Sequence, residues 1–163
     1  MDMTKTDRRP LREEQLRVFL LEDLGYGDIT SEALISPEQR ARARLFFKEP
    51  GVAAGLEEAS VIFTMLGCEV KHLERDGNWV PPGKVLLEFD GSARSLLLGE
   101  RVALNLVSHM AGIATATAEV VEKVRKTSPS TRVAATRKTT PGLKGSREEG
   151  SGAGWRGHPS PQA

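Results

Sequence analysis

The sequence predicts an α+β fold, a small antiparallel sheet sandwiched with helices and followed by one further strand. Three observations carry that prediction. Apolar residues recur at helical spacing in three separated stretches. Between them lie short segments of alternating or β-rich character, bounded by glycine and proline. The strands cluster between helices and do not alternate with them, which favours α+β over a wound parallel sheet.

Residues 1–10 are polar and are expected to be disordered. From Leu11 to Leu24, the positions Leu16, Val18, Phe19, Leu20, Leu21 and Leu24 suit an amphipathic helix that Gly25 ends. Gly25 to Ser31 reads as a loop in which Asp28 serves as a cap, an Asx-type turn or a contact with another subunit. Ala41 to Lys48 alternates as a half-exposed strand. Val52-Ala53-Ala54 is a second, shorter one, and Gly55 to Leu66 a helix with Leu56, Ala59, Ile62, Phe63 and Leu66 inward. Glu69–Leu73 and Val85–Phe89 are further strands, with Asp76-Gly77 as turn chemistry between them. A long helical stretch opens at Ser92 as N-cap and runs to about Lys126, with a break expected near Gly112. Arg132–Ala135 is the last strand candidate.

The bulk properties exclude several classes. With 39% hydrophobic residues, 28% charged residues and a net charge of +1, the chain is ordinary for a soluble protein and has no basic surplus for nucleic acid. Apolar runs such as Leu96-Leu97-Leu98 are too short to span a bilayer, and the charged N-terminus lacks a signal-peptide core. The single cysteine, Cys68, permits no internal disulfide and reads as a small core residue in a cytoplasmic protein.

The helix from Ala93 to Met110 is apolar nearly all round, which predicts burial on several sides. Arg101, Asn105, Ser108, His109, Gly112 and Thr115 form its polar or small stripe. A buried arginine needs an anion or carboxylate partner, so Arg101 is either in a structural ion pair with Glu100 or another neighbour, or aimed at an anionic ligand. Thr136-Arg137-Lys138-Thr139-Thr140 sets two cations and three hydroxyls after a strand, where an anion-binding loop or a solvated basic loop is expected. His109 reads as a packed structural histidine more readily than as a general base.

These segments, in order, resemble the quinolinate phosphoribosyltransferase family. The resemblance runs from about Leu16 to Leu143 and rests on five motifs. They are Glu22-Asp23-Leu24-Gly25-Tyr26-Gly27-Asp28-Ile29-Thr30, Gly51-Val52-Ala53-Ala54-Gly55, Gly99-Glu100-Arg101-Val102-Ala103-Leu104-Asn105, Ser108-His109-Met110-Ala111-Gly112-Ile113-Ala114-Thr115 and Thr136-Arg137-Lys138-Thr139-Thr140-Pro141-Gly142. The resemblance implies an N-terminal α+β sandwich over residues 11–114 and the start of an α/β barrel over 115–143, with the strand at Arg132–Ala135 as the barrel's first. It implies the reaction of quinolinate with phosphoribosyl pyrophosphate and Mg²⁺ to give nicotinate mononucleotide, pyrophosphate and CO₂, on a homodimer. Arg101 is then expected to bind a quinolinate carboxylate in the partner's site, with Arg137, Lys138 and Thr139 around the barrel mouth. No residue is assigned to a metal, and no confident catalytic residue lies in this stretch.

The segment 144–163 departs from the family: it is rich in glycine and has no periodicity, and is expected to be disordered. Codons shifted by one base would let it encode a family-like stretch with a His-Arg pair, which points to a frameshifted tail and an inactive, truncated chain. Two other readings stand beside this one. A related pyridine phosphoribosyltransferase would need fewer arginines. A biotinyl- or lipoyl-like carrier module, suggested by Asp76–Leu87, would need a modifiable Lys84 at a hairpin tip.

Overall fold

The structure, a computed structural model, describes residues 9–25 and 27–136. Its elements run α1 (Arg9–Leu24), α2 (Ile29–Leu34), β1 (Arg40–Phe46), β2 (Gly51–Val52), α3 (Leu56–Met65), β3 (Glu69–His72), β4 (Trp79–Val80), β5 (Val85–Ser92) and α4 (Ala93–Thr127). β5 is the centre of a three-stranded antiparallel sheet ordered β1-β5-β3, and β2 pairs with β4 in a separate two-stranded piece.

Alternation on β1 and β5 explains the two layers. Arg40, Arg42 and Arg44 face solvent and pair with Asp90 and Glu88 of β5, while Leu45, Leu87 and Phe89 face inward. α3 and α4 cover that inner face, and α1 packs against both of them. Leu16, Leu56, Ile62, Leu86 and Leu87 are at most 1% exposed, and the Phe63 and Phe89 rings meet at 4.2 Å. Burying each such side chain contributes on the order of 2 kcal/mol.

Two close approaches fix β2 and α3 against α4. Gly55 N-caps α3 at φ +89°, and a Cβ there would stand 3.2 Å from both Met110 Sδ and Val107 Cα. At Gly51 a Cβ would stand 2.9 Å from Thr115 Oγ1, whose hydroxyl accepts from Val52 N–H at 2.9 Å. The motif 51–55 thus folds onto the motif 108–115.

Four expectations are corrected. α4 is one helix of 35 residues, unbroken at Gly112. Glycine there costs about 1 kcal/mol relative to alanine, and Ala111, Ala114, Ala116 and Ala118 around it are the best helix formers. Residues 132–135 form no strand, and 131–136 run exposed and irregular, because no described strand lies beside them to complete a ladder. The loop after Gly25 contains helix α2, capped by Asp28, whose carboxylate accepts from Ser31 N–H at 3.1 Å. Asp76-Gly77 does not simply turn one strand into the next: Asp76 caps α3 by accepting from Leu56 N–H at 3.1 Å. Segments 1–8 and 137–163 lie outside the described residues.

Candidate functional site

The front half of α4 buries Leu96, Gly99, Val102, Ala103, Leu106 and Val107 in the core. Its other face is exposed, contrary to the expectation that the helix is enclosed on several sides. There Arg101, Leu104, Asn105, Ser108 and His109 meet solvent. Arg101 is therefore not a buried cation: its side chain is 73% exposed. His109 is likewise exposed and not packed. Arg101 Nη1 donates to Asp23 Oδ1, at the end of α1, at 3.1 Å, so its partner is not Glu100.

Asp28 lies on the same side. Its hydrogen bonds from Ser31 hold its carboxyl below the ordinary carboxylate value, and the positive charges of Arg101 and Arg94 add to this. Arg94 ties α2 down by donating from Nε to the Ile35 carbonyl at 2.8 Å and from Nη2 to that of Glu32 at 3.0 Å. Large apolar side chains accompany these charges. Leu97 and Leu104, one turn either side of Arg101, are 46% and 41% exposed. The neighbouring helices expose Val18, Leu21, Ile29 and Leu34.

On the opposite face of α4 is a cavity of about 700 Å³. Val52, Ala54, Met110, Ala114 and Ala118 form its apolar floor, and Glu57, Glu58, Asp76, Arg125 and Arg132 contribute its charges. Glu58 is 1% exposed. Burial pushes the Asp76 carboxyl up, opposed by the amide hydrogen bonds from the first turn of α3. The irregular segment after α4 lines the cavity as far as Val133. Arg137, Lys138 and Thr139 follow it in the chain but lie outside the described residues. Met110, on the cavity floor, is nine residues beyond Arg101, or about two and a half helical turns and ~13 Å. The cavity and Arg101 therefore point to opposite sides of one rod.

A model of the quinolinate phosphoribosyl transferase N-terminal domain matches residues 28–111, which is more than half the chain. The chain belongs to the quinolinate phosphoribosyl transferase family. The model of that family's C-terminal domain matches residues 113–154. The division between the two falls inside α4.

The chain is 44% identical over 112 residues to the carboxylating nicotinate-nucleotide pyrophosphorylase of Rattus norvegicus, covering 69% of this chain and 38% of that protein. It is 38% identical over 129 residues to the probable enzyme of that name from Methanothermobacter thermautotrophicus, covering 79% of this chain and 46% of the other. Among solved structures, NadC from Streptococcus pyogenes superimposes with a TM-score of 0.82 at 34% identity, over 91% of this chain and 52% of that one. The chain thus spans about half the length of the relatives it matches.

Within the family frame, the motif glycines Gly51, Gly55 and Gly99 sit at close approaches between elements, while the motif residues Glu22, Glu100 and Arg101 are exposed. Among the described residues, no three histidine, cysteine, aspartate or glutamate side chains come together as a metal site. No described helix is long and apolar enough to cross a membrane. Cys68 is buried, and burial pushes its thiol up, as suits a core residue. Lys84 is engaged by Glu74, so it is not the free hairpin-tip lysine of a carrier module.

Two features escaped sequence reading. Asp23 stands 78 residues from Arg101, with no local spacing to link them. Glu58 did carry a signal: it is four residues from Ile62, on the apolar face of α3.

Proposed function

We propose that the chain is part of an enzyme that joins quinolinate to the ribose of phosphoribosyl pyrophosphate, releasing pyrophosphate and CO₂ and forming nicotinate mononucleotide. Family membership and the solved NadC fold support this reading. The observation that carries its assembly is the opposition of Arg101 to the cavity across α4. Arg101 points away from the segment leading to Arg137, Lys138 and Thr139. One small ligand held by all of them is most simply reached with Arg101 from one copy and the loop from another. Leu97 and Leu104 supply apolar surface for that contact in a homodimer.

Quinolinate carries two carboxylates, which the planar fork of arginine grips in a bidentate manner. Lys138 and Arg137 would stabilise the departing pyrophosphate as the anomeric carbon gains positive charge. Mg²⁺ enters this proposal with the diphosphate of the substrate, not as a ligand of the described residues. A cytoplasmic setting suits the single reduced cysteine.

Equilibrium binding of quinolinate and of nicotinate to the 163-residue chain, with sedimentation to read its assembly, tests the proposal. Quinolinate should bind tighter than the monocarboxylate, and Arg101→Ala should remove about tenfold or more of that preference. Equal binding of the two acids would instead favour a related pyridine phosphoribosyltransferase. Because about half of each relative's length is not covered, the chain by itself is expected to bind without turnover. Nicotinate mononucleotide formed by the purified chain would overturn that last expectation.

A further inference from the structure

We infer that Asp23 is a positioning residue for Arg101, holding one corner of the guanidinium so that its remaining edge is presented ready-oriented to a carboxylate ligand. The inference rests on the reading of Arg101 as a substrate-binding cation.

The geometry is asymmetric. Asp23 is 24% exposed, and α1 is anchored to the core through Leu16 and Leu20, so the fold sets the place of its carboxylate. Arg101 is 73% exposed at the end of a long side chain, and nothing else in the described structure bonds it. The better-fixed partner dictates the position of the freer one. Contact is made by Nη1 alone, at 3.1 Å, which leaves the Nε–Nη2 edge open. That edge is the one able to grip a carboxylate with two parallel hydrogen bonds.

Asp28 completes the arrangement without competing for the guanidinium. Its carboxylate is committed to Ser31 N–H at 3.1 Å, so it contributes only its charge. The segment from Glu22 to Thr30 thereby gains a purpose beyond turning the chain. It brings one carboxylate into contact with Arg101 and keeps the second occupied. An exposed arginine without such a tether must be immobilised by each arriving ligand, and the tether removes that cost from binding.

The test follows the Arg101 Nε–Hε signal by NMR relaxation in the 163-residue chain, in the wild type and in Asp23→Ala and Asp23→Asn, with far-UV circular dichroism as the check on folding. The wild-type signal should be ordered. Asp23→Ala should drop it to the mobility of Arg75, which has no ion pair among the described residues. Asp23→Asn keeps an acceptor oxygen in place and should restore part of the order. Titration with quinolinate on the same signal should then show affinity weakened about tenfold by Asp23→Ala and less by Asp23→Asn. Unchanged order in Asp23→Ala overturns the inference, and so does tighter quinolinate binding, which would make Asp23 a competitor. If quinolinate leaves the wild-type signal untouched, the substrate reading of Arg101 fails, while the comparison of order still decides whether Asp23 positions it.

Discussion

The two halves of α4 share one backbone geometry and little else. Of its eleven buried residues, nine lie between Ala93 and Ala111, among them Leu96, Val102, Leu106, Val107 and Met110. Beyond Gly112 only Ala114 and Ala118 are buried, against Val52 and Ala54 and the open cavity. The front half is helical because the core needs its stripe. The rear half is helical because alanine, glutamate and lysine favour helix and the front half has already nucleated it. Regular hydrogen bonding is thus a poor guide to where stability resides; side-chain burial separates the halves.

The sharpest test of that contrast is a pair of truncations read by urea unfolding. Leu106→Ala should cost about 3 kcal/mol, because it opens a cavity in a packed core. Ala118→Gly should cost about 1 kcal/mol, mostly helix propensity. Equal costs would erase the distinction.

Acid should loosen the segment between β3 and β4, which holds Glu74. Burial alone would raise the Glu74 carboxyl, but hydrogen bonds from Lys84, Asn78 Nδ2 and Arg75 N–H outweigh it and bring its pKa down to about 2 from an ordinary 4.5. A carboxyl depressed in the folded state stabilises above its unfolded value and loses that contribution as pH falls through the folded one. Between pH 4.5 and 2 the loss should be on the order of 2 kcal/mol. Lys84→Met should flatten that part of the profile, and an unchanged slope would assign the acid lability elsewhere.

Hydrogen exchange probes the halves without mutation. Amides from Thr117 to Lys126 should exchange at least about tenfold faster than those from Val102 to Met110. Matching protection would mean that the helix opens as one unit. The smallest effect belongs to the exposed face: Arg101→Ala should change unfolding free energy by under about 0.5 kcal/mol, since an exposed ion pair is worth little. A large loss there would make the pair structural and weaken its assignment to ligand binding.

Periodic segments were legible in the sequence. Leu56, Ile62 and Phe63 mark α3 and its inward face, and Cys68 was placed correctly in the core. Elements without periodicity were not. α2 exposes Ile29 and Leu34 and lies in a glycine-bearing polar stretch, so its pattern looks like loop. β4 has two residues, too few for any alternation. Gly112 suggested a break because propensity is local, whereas the helix passes through it at an exposed position where nothing crowds the backbone. The strand expected at Arg132–Ala135 failed for the opposite reason: only Val133 there favours a strand, and no described strand lies beside it. Of the candidate site, the place of Arg101 on the polar stripe of its helix was readable, but its exposure and its pairing with Asp23 were not. An all-round apolar helix signals burial without saying whether the cover comes from the same chain.

The passage of α4 through the boundary between the two family domains has a mechanical consequence. A flexible linker absorbs insertions, whereas a continuous helix counts them. One residue added after Gly112 would turn everything downstream by about 100° and advance it by about 1.5 Å, and a deletion would do the reverse. Only changes near whole multiples of the helical turn would return the downstream part to its original facing, so this stretch should admit substitutions far more readily than changes in length.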